Sequence, residues 1–349
     1  MGGPGRRLAG GRILHAMHAP APTNLITGFL GVGKTTAIRH LLSEARPTDQ
    51  RWAVLVNEFG DVGVDATRLE DGAAIEELPG GCLCCTLGAP FRIALARLLR
   101  RSRPARLLIE PTGLGHPARI LDLLREFEQQ GAITLRATLT LVDPRQLDDP
   151  RVAGHDAFRD QAQLADVLIA HKTDLCSASE RAAFNSWAHT LYPPKQRIEE
   201  AAHGRIDPAW LDEPAGRAGT LDTGAPAPHR AAEHHHGAGR AAPEPGQPVR
   251  AEQSGGAVPA CGWIFHSEDV FDRHALLQVL ESLRDCQRVK GVMRTGRDWL
   301  RVDADGDGVR AEATAWRGES RLEVIGPAAD TSWAGTEQAL LAAYRGTGH

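Results

Sequence analysis

From residue 23 to about residue 212 the apolar positions follow two alternating rhythms. Asn24–Thr27, Trp52–Asn57, Arg106–Glu110 and Val167–Ala170 are short, nearly continuous apolar runs, the pattern of strands buried on both faces. Ala132 to Val142 alternates instead and predicts one longer strand. Between these runs, apolar residues recur at helical spacing over Thr35–Leu42, from Leu87 through Leu99, over Ile120–Phe127 and over Phe158–Leu164. Strand following helix in this way predicts an α/β fold with a doubly wound, mostly parallel sheet.

The rhythm stops between residues 213 and 259, where Pro, Gly, Ala, Arg and His dominate. That composition cannot bury enough apolar surface to order itself, so it reads as a disordered, His-containing linker. Residues 1–22, rich in Gly, Arg, His and Pro, read as a disordered N-terminal segment, in which Met17 offers an alternative start. Alternation resumes at 260–349. Strands are predicted at Gly262–His266, Val289–Thr295, Trp299–Val302, Arg310–Trp316 and Arg321–Ile325. Two helices are predicted, one capped by Asp269 and one over Gly335–Tyr344. This makes a smaller α+β unit. Asp303 to Gly308 imitates the start of a calcium loop, but Thr314 stands where the bidentate acid is needed, so it reads as a hairpin turn.

Composition narrows the function only by exclusion. The 349 residues carry a net charge of −4, which argues against a nucleic-acid groove, and no apolar run reaches the roughly 18 residues of a membrane span. Arg6 and Arg7 are followed by no continuous apolar stretch, so a cytoplasmic protein is expected.

The chemistry lies at the strand ends. Gly28-Phe29-Leu30-Gly31-Val32-Gly33-Lys34-Thr35, followed by Thr36, places two glycines, a lysine and a hydroxyl at phosphate-loop spacing. Gly28, Gly31, Val32 and Gly33 let backbone N–H groups face phosphate oxygens. Lys34 sits on the β- and γ-phosphates, and the Thr35 hydroxyl ligates Mg²⁺. The fold class is therefore that of a P-loop NTPase. Glu110-Pro111-Thr112-Gly113 ends a later strand: Glu110 is placed to act on Mg²⁺ or its waters, and Gly113 to give an N–H to the γ-phosphate. Glu58, in the polar segment after Trp52–Asn57, is a further candidate ligand.

His171-Lys172-Thr173-Asp174 resembles the guanine-reading Asn-Lys-x-Asp motif, with histidine at the first position. The Asp174 carboxylate can accept from guanine N1–H and the exocyclic amine, and the Lys172 stem can cover the base. Of the six cysteines, Cys82, Cys84 and Cys85 fall within four residues after Gly80-Gly81. Such thiolates are soft ligands for Zn²⁺ and similar metals and leave a coordination position open. His234, His235 and His236 in the linker can capture divalent metal loosely.

Together the phosphate loop, Asn57-Glu58-Phe59-Gly60, Gly80–Cys85, Glu110–Gly115, Asp160-Gln161, Ala165-Asp166, Lys172–Leu175 and Arg288-Val289-Lys290-Gly291 resemble the CobW-type P-loop GTPases that act as metal chaperones or insertases. The resemblance covers about residues 23–212 and 261–345. It implies a GTPase domain at 23–212, a CobW-type C-terminal domain at 260–349, and GTP·Mg²⁺ turnover coupled to transfer of a metal to a client metalloprotein. Zinc is the expected metal. Cobalt for a corrinoid pathway stands as an alternative, and so does a non-catalytic storage or sensing protein regulated by GTP. A homo-oligomer is compatible with either.

Overall fold

The computed structural model describes residues 19–56, 73–77, 89–115, 117–219, 243–253, 259–305, 308–326 and 333–348. The first half begins with β1 (Ala21–Gly28) and α1 (Lys34–His40), which runs on as a π-helical turn to Ala45. Next come β2 (Trp52–Val56), β3 (Ala74–Glu77), α2 (Ala89–Ser102), β4 (Arg106–Glu110) and α3 (Pro117–Gln129). β5 (Ile133–Leu135), β6 (Leu139–Val142), α4 (Pro150–Ala153), α5 (Asp156–Leu164) and β7 (Val167–Ala170) follow. The half closes with α6 (Ala178–Thr190) and β8 (Arg197–Glu200).

These strands form one parallel sheet in the order β3-β2-β4-β1-β6-β7-β8, with β5 beside the start of β1. The doubly wound parallel sheet is thus as the apolar rhythm predicts. The chain winds outward from β1 in both directions, so a crevice opens at the carboxyl end of β1. The loop 28–34 lies there. Apolar clusters pack both faces: Leu25, Leu55, Phe91, Leu95 and Leu124 on one, Ile26, Ile38, Val54 and Ile169 on the other.

The second half comprises β9 (Val249–Gln253), β10 (Ala260–Phe265), β11 (Asp269–Phe271), α7 (Arg273–Ser282), β12 (Arg288–Thr295) and β13 (Asp298–Asp305). β14 (Gly308–Ala313), β15 (Ser320–Ile325), α8 (Trp333–Ala342) and β16 (Tyr344–Thr347) complete it. It holds an antiparallel sheet ordered β14-β13-β12-β15-β10-β9 and the pair β11-β16. Tyr192, Val292, Trp299 and Trp316 form an apolar cluster between the halves. Arg317 reaches Asp122 of α3 at 3.0 Å.

Several expectations are corrected. Ala132–Val142 is two strands, because Arg136 bridges Pro214 and Ala137 N–H donates to Glu213 O instead of to β1. Asp269 is not a helix cap. It is fully buried and accepts from Gly246 N–H and His266 N–H, while Asp272 accepts from Ala275 N–H at 2.8 Å and caps α7. The edge strand β9 comes from inside the stretch assigned to the linker, paired residue for residue with β10. The last helix stops at Ala342, and Tyr344 belongs to a strand. β13 and β14 pair from Leu300↔Ala313 to Asp305↔Gly308, in keeping with the hairpin reading.

Candidate functional site

At the end of β1 the phosphate loop is held from behind, carbonyl by carbonyl. Lys34 Nζ donates to Gly28 O at 2.9 Å and Phe29 O at 3.3 Å. Lys172 Nζ donates to Gly31 O at 2.7 Å, and His171 Nδ1 lies 2.8 Å from Val32 O. Gly33 O accepts the α1 bond from Ala37 N–H at 3.0 Å. With those carbonyls occupied, and Val32 N–H turned back to Phe29 O at 3.4 Å, the loop's other N–H groups are the part left to serve a phosphate. Gly33 is at φ 106, and a Cβ there would lie 2.7 Å from His171 Cε1, so both backbone and space demand glycine.

Behind the loop, the Thr35 hydroxyl donates to Glu110 Oε1 at 2.8 Å. Both Lys34 and Glu110 are buried. Burial lowers the Lys34 ammonium from its ordinary value, against the opposing pull of Glu110. Burial likewise raises the Glu110 carboxyl, more than the Thr35 bond and the Lys34 and Arg39 charges lower it. The two are poised to share charge with an incoming cation or phosphate.

Just beyond β4, Gly113 rests directly on the phosphate loop. A Cβ on Gly113 would come within 2.8 Å of Leu30 N and 2.9 Å of Leu30 Cα. Its carbonyl accepts from Gln161 Nε2 at 2.9 Å. Gly113→Ala is therefore expected to push two backbones apart. Unfolding stability should fall by about 1–3 kcal/mol, read by denaturant titration.

The other side of the crevice is built from the ends of β7 and β8. Lys172, in the left-handed region at φ 59, also faces Asp143 Oδ2 at 3.4 Å. Asp174 accepts from His203 N–H at 3.1 Å. Desolvation opposes its ionisation, but that bond and its neighbours hold the carboxyl below its ordinary value. Thr173 N–H donates to Ala201 O at 3.2 Å, so residues 201–205 form the wall beside Asp174. Thr36 packs against Gly204 of the same wall.

Sequence reasoning thus places Gly28, Gly31, Val32, Gly33, Lys34, Thr35, Thr36, Glu110, Gly113, Lys172 and Asp174 in one crevice, and the structure brings them together. It did not find Asp143 or the 201–205 wall, and it named Gln161 only as part of Asp160-Gln161 in the family resemblance. Asp143-Pro144 ending a strand beside the phosphate loop was the available signal for the first. The 201–205 wall carries none beyond following the end of β8. Glu58, Cys82, Cys84, Cys85, His234, His235 and His236 lie outside the described residues. Among the described residues no group of three or more His, Cys, Asp or Glu is arranged to hold a metal, and no helix is long and apolar enough to cross a membrane.

A parallel sheet with this loop, lysine, hydroxyl and strand-end acid defines a P-loop nucleotide-binding protein. The family model described as CobW/HypB/UreG, nucleotide-binding domain, matches residues 22–199, and that of the cobalamin synthesis protein cobW C-terminal domain matches residues 260–344. The chain belongs to the CobW/HypB/UreG family. It is 42% identical over 321 residues to the zinc chaperone YeiR of Escherichia coli (strain K12), covering 91% of this chain and 97% of that protein. It is 34% identical over 220 residues to the zinc chaperone CobW of Pseudomonas aeruginosa, covering 54% of this chain and 58% of that one. Among solved structures, the Zn(II)-bound YjiA GTPase from E. coli aligns over 94% of this chain and 100% of its own, at 20% identity and a TM-score of 0.47.

Proposed function

We propose that this protein is a GTP-hydrolysing metallochaperone that takes a late divalent metal, zinc, at Cys82, Cys84 and Cys85 and passes it to a client metalloprotein. One observation carries the switch at its centre: Glu110 and Gly113, from a single strand end, touch the phosphate loop at Thr35 and Leu30. A loop seated there is displaced or fixed by a γ-phosphate. The relative named a zinc chaperone, aligned over nearly the whole chain, supports zinc as the cargo.

In this reading Lys34 takes the β- and γ-phosphates, and Gly28 to Gly33 cradle them. Asp174 accepts from guanine N1–H and its amine, while the Lys172 stem covers the base. The Thr35 hydroxyl and Glu110 carboxylate, 2.8 Å apart, are an all-oxygen pair that fits Mg²⁺. Bound there, Mg²⁺ would neutralise charge developing on the transferred phosphoryl group. Thr36 closes the loop against Gly204, and Gly113 offers its N–H to the γ-phosphate. His234, His235 and His236 add loose capture of metal.

By linkage, whatever GTP adds to zinc affinity, zinc adds to GTP affinity. Zinc affinity is expected to differ between the GTP- and GDP-loaded protein by about 5–150-fold, the usual span of such couplings, with turnover stimulated by zinc. Competition titrations against a chromophoric zinc chelator, with GTP analogue, with GDP and without nucleotide, measure it. Equal affinities in all three would leave a storage protein.

A further inference from the structure

His171 stands where the guanine motif usually has asparagine, and the geometry around it separates two jobs that an amide can do at once. We infer that His171 is a positioning residue that fixes the phosphate loop and takes no part in reading the base, so that among the described side chains base selection rests on Asp174. This deepens the guanine reading above and rests on it.

The imidazole is 2% exposed. Val32 O can only accept, so at 2.8 Å the Nδ1 atom must carry the proton and donate. Nε2 is then the acceptor of a neutral ring, closed off from solvent and without a hydrogen-bond partner. The ring edge lies against Gly33, and the backbone N–H of His171 donates to Val142 O at 2.7 Å, which fixes the residue at the root of the crevice. Burial lowers the ring's affinity for a second proton, in a setting where Lys172 opposes and Asp143 and Asp174 favour the charge.

Guanine presents N7 and O6, both acceptors, on its outer edge. Reading that edge requires a donor. The one N–H of His171 is spent on Val32, and its other nitrogen is a buried acceptor. An asparagine amide has two N–H donors and could serve loop and base together. This chain keeps the first service and lacks the second. Asp174, on the other side, accepts and therefore reads only the N1–H and amine.

The test compares GDP, 7-deaza-GDP, which lacks N7, and IDP, which lacks the amine, by calorimetric titration of the full chain with Mg²⁺. The expected result is 7-deaza-GDP within about twofold of GDP and IDP weaker by about tenfold or more, the size of one lost charge-assisted bond. His171→Ala should weaken all three by one common factor of about tenfold and leave their ratios unchanged. His171→Asn, which can still donate to Val32 O, should recover most of that loss.

Two results overturn the inference. One is a tenfold preference of the unaltered chain for GDP over 7-deaza-GDP. The other is a His171→Ala protein that binds GDP as the parent does. The first comparison needs only the unaltered chain, so a misfolded variant does not block it. If ADP matches GDP, the guanine reading fails, and the same 7-deaza comparison made with ADP still decides the role of His171.

Discussion

Lys34→Ala is expected to lower GTP turnover by about 10²–10³-fold, the loss that follows removal of one preorganised charge-stabilising donor. The cause is double. In the proposed function the ammonium meets the phosphates, and it also holds the carbonyls of Gly28 and Phe29. Without it Gly28 O loses that donor, Phe29 O keeps Val32 N–H at 3.4 Å, and Glu110 loses the nearby cation that opposes its protonation. Glu110 should then take a proton more readily, and the Thr35–Glu110 oxygen pair should bind Mg²⁺ less well. Stability of the nucleotide-free protein is expected to change far less than turnover, because removing a buried ammonium also removes its desolvation cost. Single-turnover assays beside thermal melts distinguish these effects; a parallel collapse of both would mean that the lysine is structural.

Cys84→Ser should lower zinc affinity by about 10²–10³-fold, since zinc bound by thiolates draws most of its free energy from a few bonds. Zinc stimulation of turnover should vanish with it. GDP affinity in the absence of metal should stay as in the parent, because the proposed nucleotide contacts are those of Gly28–Thr36, Lys172 and Asp174. Chelator competition and basal GTP turnover measure the two halves. Zinc stimulation that survives Cys84→Ser would remove the cysteine motif from the mechanism.

What the sequence made legible follows from what each chemistry needs. Phosphate binding needs consecutive backbone groups, so Gly28 to Thr35 spells itself out in one stretch. Lys172 and Asp174 likewise stand two residues apart just after β7. β2, β4 and β7 could be read because both faces are buried. β8 could not: Arg197-Ile198-Glu199-Glu200 is an edge strand whose charges satisfy one another sideways, Arg197 with Glu199 and Glu213. α6 buries only Phe184 and Ala188, so its apolar stripe is thin. Its signature was instead the capping box from Ser177 to Glu180. The Gln161–Gly113 bond joins residues 48 apart, and nothing local to either announces it.

α3 leaves the loop that rests on the phosphate site and ends beneath the second sheet, where Asp122 and Arg125 hold Arg317. Ala315, from the second half, sits in the same apolar cluster as Leu25 and Ile109 of β1 and β4. The two halves therefore share a core and are not beads on a string. A shared core makes unfolding cooperative, so free energy gained at one end is spread over the whole body. Nucleotide bound at the crevice would then protect β12 and β15, on the far side of that core, from exchanging with water.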